Sequence, residues 1–197
     1  IVIANGMTTA AEKTIPSGLT SLLNALNPLI VFIGSVFIGL QKPTLKGFAG
    51  VLVGFAGVAF IFREGISDLL DPNYKTGILF LSIAITGWAA GTIYSKKYVY
   101  ASANIFLDLF YQFVFSAVIQ FILALLISGK TTVAEWSGIS LLAVIYLAVF
   151  GSVIGYFCYH YALKKVSATE VSILSYFNTV IALILGWLIF GGVITFD

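Results

Sequence analysis

Eighteen charged residues punctuate this 197-residue chain, and between them lie six long stretches with none: 14–41, 47–62, 76–95, 109–129, 136–163 and 171–196. Five of these run 20 to 28 residues. An α-helix needs about 20 apolar residues to cross a bilayer core. The sixth has 16 residues; Lys46 and Arg63 at its ends can extend it by snorkelling toward the headgroups. A charged share of 9% is far below the roughly 25% that covers a soluble domain. The stretches lack strand-like alternation, which argues against a β-barrel. The pattern defines an all-α, polytopic transmembrane bundle with a lipid bilayer as its solvent.

The spacing predicts helices near Leu19–Leu40, Gly47–Phe62, Gly77–Ser95, Ile105–Ser128, Ile139–Leu163 and Val171–Phe190. Residues 1–10 read as the tail of an earlier helix. Pro43 and Pro72 fall between spans and Pro16 just before one, where a missing N–H is harmless. Pro28 lies inside a span. There it removes a backbone hydrogen bond that only neighbouring protein or a wet cavity can replace.

Several classes of function are excluded. A net charge of +2 leaves no electrostatic footprint for nucleic acid. One cysteine, Cys158, and one histidine, His160, rule out a multi-Cys or His-cluster metal centre. No metal or cofactor is expected, and no paired His or acidic site for a membrane enzyme is evident. Every lysine lies between spans, so a retinal Schiff base is also excluded.

Lys13–Gly39 and Lys165–Gly191 share a pattern. Asn27 matches Asn178, and Ser21 matches Ser172, each at an offset of 151. The two segments are the first and sixth predicted spans, so they run in opposite directions through the bilayer. Inverted repeats of this kind are built around a midplane site in secondary transporters.

In order along the chain come Ala11-Glu12-Lys13-x-Ile15-Pro16-Ser17-Gly18, Asn27-Pro28-Leu29, Lys42-Pro43-Thr44, Gly57-Val58 and Trp88-Ala89-Ala90-Gly91. Gly151-Ser152, Lys164-Lys165-Val166-Ser167-Ala168, and Asn178-Thr179-Val180-Ile181-Ala182 with Gly186-Trp187 follow. Together they resemble the EamA-type branch of the drug/metabolite transporter superfamily, from late helix 3 through helix 9 of its ten helices. The chain departs from the family at Leu40-Gln41 and Gly191-Gly192, where Gly-Glu is usual, and at Thr179, where Pro is usual. The resemblance implies that 1–63 is the C-terminal part of a first repeat and 76–197 most of a second. It also implies a central cavity, alternating access, and export of small metabolites or amino-acid-like compounds. The expected location is a bacterial or archaeal plasma (inner) membrane. A ligand sensor without transport, or an inactive fragment, is the alternative. Oligomeric state and substrate identity are left open.

Polar residues recur at helical spacing: Ser17, Ser21, Asn24 and Pro28; Ser152, Tyr156 and Tyr159; Ser172, Ser175, Tyr176 and Thr179. Hydrocarbon offers no hydrogen bonds, so such faces should turn inward. For single hydroxyls the ordinary reading is interhelical bonding. The side chains Asn24, Asn27, Gln112 and Asn178, with Pro28, Trp88, Tyr156 and Tyr176, are candidates to line a substrate cavity. Tyr111 is a further aromatic within a span. Tyr94, Tyr98 and Tyr100 suit an interfacial belt. Asp108 is the one acid near a span interior and the candidate for proton coupling, although an acid in the first turns of a helix also favours the helix dipole. Gly47, Gly50, Gly54 and Gly57, with Gly87, Gly91, Gly151 and Gly155, suit close helix packing.

Lysines set the orientation. Loops after the first, third and fifth spans hold Lys42, Lys46, Lys96, Lys97, Lys164 and Lys165; the other side holds Lys13, Arg63, Lys75 and Lys130, diluted by acids. The positive-inside rule places the first set in the cytoplasm. A cysteine replacing Ser67 should therefore react with a membrane-impermeant maleimide in intact cells, and one replacing Lys97 only after permeabilisation. The reverse labelling pattern would invert the assignment.

Overall fold

The computed structural model describes residues 1–63, 65–98, 104–128 and 137–190. Tyr100, Lys130, Gly191 and Gly192, used above, lie outside the described residues, as does the side chain of Trp187. Every regular element among the described residues is helical. In order they are α1 (Val2–Ala11), α2 (Ser17–Asn24), α3 (Asn27–Phe37), α4 (Leu45–Ile61), a single turn α5 (Gly65–Asp68), α6 (Lys75–Tyr98), α7 (Ile105–Ser128), α8 (Gly138–Tyr146), α9 (Gly155–Lys165) and α10 (Ala168–Phe190). Among the described residues, four helical stretches are long and apolar enough to cross a membrane: Ser17–Phe37, Pro72–Tyr98, Ile105–Leu126 and Gly138–Lys165. At 17 residues, α4 spans about 25 Å, short of a full crossing, as its sequence predicted.

Local chemistry sets the helix starts. Thr44 caps α4 by accepting the Gly47 N–H at 3.2 Å. Asn104 Oδ1 accepts the Phe106 and Leu107 N–H groups ahead of α7. Ser137 Oγ accepts the Ser140 N–H at the start of α8. Each satisfies donors that a first helical turn leaves free. The end of α3 is equally explicit. Gly39 has φ of 76°, the one positive φ among the described residues. Around it Gly39 N–H donates to Val36 O at 3.0 Å and Leu40 N–H to Ser35 O at 2.9 Å. This is a Schellman stop, which needs a left-handed residue and hence glycine.

Two spans predicted as continuous are interrupted. The first divides into α2 and α3 at Ala25 and Leu26. Pro28 has no N–H for the Asn24 carbonyl, and its ring crowds that oxygen. The chain tightens instead: Leu26 N–H donates to Leu23 O at 2.9 Å, and the ladder resumes with Ile30 N–H to Leu26 O at 3.0 Å. The fifth span carries a π-helical section, Leu147–Ile154, between α8 and α9. Such widened turns occur as local insertions in α-helices, often at functional sites.

The residues fall into two compact units. In the first, made from Ile3–Ile93 and the segment beginning at Ala168, the core joins α1, α2 and α6. Ala11, Ile15, Leu19 and Leu23 recur every fourth residue and pack against Leu81, Ala84 and Ile85. A second cluster joins Ala25, Val58 and Tyr176 with Phe55, Phe62 and Ile173. The segments leading from α3 and into α10 run in opposite directions past each other. Gln41 meets Thr169 at one end, where Thr169 Oγ1 donates to Gln41 Oε1 at 3.1 Å, while Ala25 meets Tyr176 further along.

The other unit holds Ile1–Val2 and Tyr94–Ser167. Here α7 meets α9 through aromatic rings: Phe106 stacks on Phe157 at 4.9 Å, and Phe113 meets Tyr156 edge-on at 5.3 Å. Lys96 Nζ donates to Leu163 O at 2.6 Å and to Val166 O at 2.9 Å. A cation there satisfies the carbonyls at the C-terminus of α9 and complements its dipole. Apolar surfaces remain open on this unit, with Leu126 76% and Ile139 81% exposed. Such surface is tolerable where lipid is the solvent.

A methyl group at Gly77 would overlap Thr14 Oγ1 and press on Ile15 Cγ2, with Ala11 O close behind. Gly77→Val should therefore cost about 1–3 kcal/mol of stability, read from denaturation in mixed micelles. Wild-type stability in that variant would mean that α6 does not approach the α1–α2 corner so closely.

Candidate functional site

The cavity candidates divide between the two units. Asn24, Asn27, Pro28, Trp88, Tyr176 and Asn178 belong to the first; Gln112, Tyr156 and Asp108 belong to the second.

In the first unit the kink is the centre of the arrangement. Pro28 is fully buried, whereas Asn24, one turn earlier, is exposed. Asn27 is half-buried, yet its Oδ1 is sealed from solvent and accepts no hydrogen bond. Ser35 Oγ, further along α3, is likewise buried and unpartnered. A buried acceptor without a donor costs about 1–3 kcal/mol, so such atoms are uncommon and call for an explanation. Tyr176 packs against the kink from α10. Its phenol lies 3.1 Å from Ala25 O and 3.2 Å from Val51 O. The single phenolic proton can be donated to one of these carbonyls at a time. Trp88 is half-buried on α6, and Asn178 is exposed on α10.

The serine and threonine hydroxyls of the α10 stripe bond within their own helix. Ser172 Oγ donates to Thr169 O, Ser175 Oγ to Ser172 O, and Thr179 Oγ1 to Ser175 O. Interhelical bonds were the expectation for these groups; the carbonyls three or four residues back are nearer and always present.

The glycines differ from one another. A methyl group at Gly54 would collide with the Tyr176 ring, and one at Gly47 would lie 3.0 Å from the Phe32 ring. At Gly87 it would touch Ile3 at 3.5 Å, and at Gly155 it would approach Phe150 O at 3.3 Å. At Gly151 it would meet Leu147 at 3.8 Å, whereas at Gly50, Gly57 and Gly91 it would meet nothing within 4 Å.

In the second unit Asp108 occupies the first turn of α7, where its N–H donates to Asn104 O at 3.3 Å. It is half-buried. His160 is only 4% exposed. It lies between Tyr156, at 6.3 Å, and Tyr159, at 5.9 Å between ring centroids. Of this burial, only the i, i+4 pair Tyr156 and His160 was legible in the sequence. Gln112 is half-buried beside Phe113, whose ring meets Tyr156. Tyr94 and Tyr98 face each other at 5.0 Å, and Lys97 Nζ sits 5.2 Å from the Tyr98 ring. Among the described residues no three His, Cys, Asp or Glu side chains converge as a metal site.

A helical, polytopic chain with apolar spans, a proline-kinked span and a sealed amide oxygen at the kink belongs among integral membrane proteins. The EamA-like transporter family matches residues 75–197, and the chain belongs to that family. It is 31% identical over 192 residues to the Escherichia coli K12 protein named as an uncharacterized inner membrane transporter, YedA, covering 94% of this chain and 58% of that one. An uncharacterized transporter of Clostridium kluyveri is 29% identical over 166 residues, covering 76% and 49% of the two chains. Protein PecM of Dickeya dadantii is 26% identical over 180 residues, covering 90% and 58%. The chain thus spans about half the length of these relatives, 49–58% of each. No solved structure matches it significantly.

Replacing Asn27 by the similarly sized Leu removes the unpaired acceptor. Stability should hold or rise by up to about 1 kcal/mol, measured by denaturation in micelles. A loss of about 2 kcal/mol or more would show that Asn27 is held for its contribution to folding.

Proposed function

We propose that the chain is the greater part of a secondary transporter of the bacterial inner membrane, exporting small polar metabolites, amino-acid-like compounds among them, by alternating access. One observation carries the reading: a buried amide oxygen left unpaired at the kink of a spanning helix. Such an atom is costly in the empty protein, and a substrate N–H or O–H would satisfy it. Family membership supports transport over catalysis, and the name of the Escherichia coli relative supports the inner membrane. Within the first unit, Asn24, Asn27, Trp88, Tyr176 and Asn178 are the residues proposed to meet the substrate. Amides recognise polar groups of the substrate, and aromatic faces hold planar or cationic ones. Gly47 and Gly54 would give the moving helices smooth contact faces.

Asp108 is the proposed proton-coupling group. It is half-buried in the first turn of α7, and intramembrane carboxylates are the usual carriers of coupled protons. The full-length protein in liposomes should move at least one compound of a metabolite panel, driven by a proton gradient. Asp108→Asn should reduce gradient-driven uptake about tenfold or more and leave substrate exchange at equal pH intact. Equal loss of both would remove the coupling role. Tight binding of a compound that is never moved would favour a sensor.

A further inference from the structure

The 151-residue offset that pairs Asn27 with Asn178 and Ser21 with Ser172 also pairs Ala25 with Tyr176. Those two residues are joined by the hydrogen bond from Tyr176 Oη to Ala25 O. Under a two-fold operation, a residue touches its own equivalent only close to the axis. The contact therefore marks where a two-fold relating the segment through α2 and α3 to α10 would pass. Ala25 also lies near the middle of the Ser17–Phe37 span, where an axis in the membrane plane must cross.

The chemistry at that point is unusual in a second respect. Val51 O lies inside α4, where the helix ladder supplies its own donor. Ala25 O belongs to the two-residue turn that Pro28 enforces, outside both α2 and α3. The phenol thus has one acceptor in a regular helix and one in an irregular turn, and a proton for only one of them. Its ring is seated where only glycine fits, against Gly54 of α4. A single side chain of α10 therefore fixes the kink and α4 together, through a bond that can be exchanged between two carbonyls without leaving either helix.

We propose that Tyr176 is a positioning residue, a hydrogen-bond latch at the pseudo-two-fold axis whose transfer from Ala25 O to Val51 O releases the Pro28 kink and accompanies the change of access. This rests on the transporter reading only for its second half; the latch itself rests on the geometry. The test uses the full-length protein in membranes, with Tyr176→Phe, which keeps the ring in its Gly54 seat and deletes the proton. Amide hydrogen exchange at Leu26, Asn27 and Leu29 should rise about two- to tenfold, with little change in α6. Unchanged exchange at those amides overturns the latch, as does a uniform rise across all helices, which is the mark of a packing role. In a Cys158→Ser background, a cysteine replacing exposed Asn24 is labelled with an impermeant maleimide in right-side-out and inside-out vesicles. The ratio of the two labelling rates should shift about twofold or more in Tyr176→Phe. An unshifted ratio, with wild-type labelling from both sides, overturns the role in access. Labelling of wild type from one side alone would defeat the transporter reading while exchange still judges the latch.

Discussion

A carbonyl oxygen removed from water must find a donor, and in a membrane the donor has to come from the protein. That rule bears hardest where Pro28 breaks the ladder of a spanning helix. The response is distributed. Leu26 turns its N–H to Leu23, Ile30 restarts the regular pattern, and a tyrosine from a distant part of the chain reaches Ala25. Each element near the kink then has a reason for its position. Gly54 is small because the tyrosine ring lies over it. Ala25 is small and buried because α4 and α10 close around it. Among the described residues, the Asn27 oxygen stands out as the one buried side-chain atom at the kink left without a donor.

Much of this was legible in the sequence because charge is so costly in hydrocarbon. Eighteen positions were enough to place the spans, and the observed helices follow them to within a few residues. The shortness of α4 and the need for a partner at Pro28 could be read as well. The exact break was not, because the crowding of the Asn24 carbonyl acts backward along the chain by a turn. The identity of the partner was not legible either. Tyr176 stood as one aromatic among many, and a phenol can stack, pack or donate; only the fold selects among these. The glycines show the same limit: Gly54 and Gly57 look alike in sequence, yet one lies beneath a ring and the other faces open space.

The candidate site was less legible than the fold. Residue types marked out costly amides, but not which of them would be shielded. Asn27 is enclosed, whereas Asn24 and Asn178, chosen on the same grounds, are exposed. Asp108 sits where a carboxylate complements a helix N-terminus, and the same position reads in sequence as the candidate for proton coupling. His160 drew little notice from sequence because a lone imidazole near a span end is usually wetted by headgroups. Here tyrosines one turn before it and beside it shelter it instead.

The widened turns between α8 and α9 affect every face that follows them. A π-helical insertion adds a residue without adding a matching rotation, so a stripe begun on α8 emerges on α9 displaced by about 100°. Leu141 and Val144 on one side, and Tyr156 and His160 on the other, belong to one rod but to different phases of it. The insertion works as a phase shifter. It allows a single span to show an aliphatic flank to lipid over one half of its length and a row of aromatic rings to α7 over the other. A deletion of one residue between Leu147 and Ile154 would close the wide turn into regular helix and leave the side chains of α9 facing their partners, because the residue removed carried no rotation of its own.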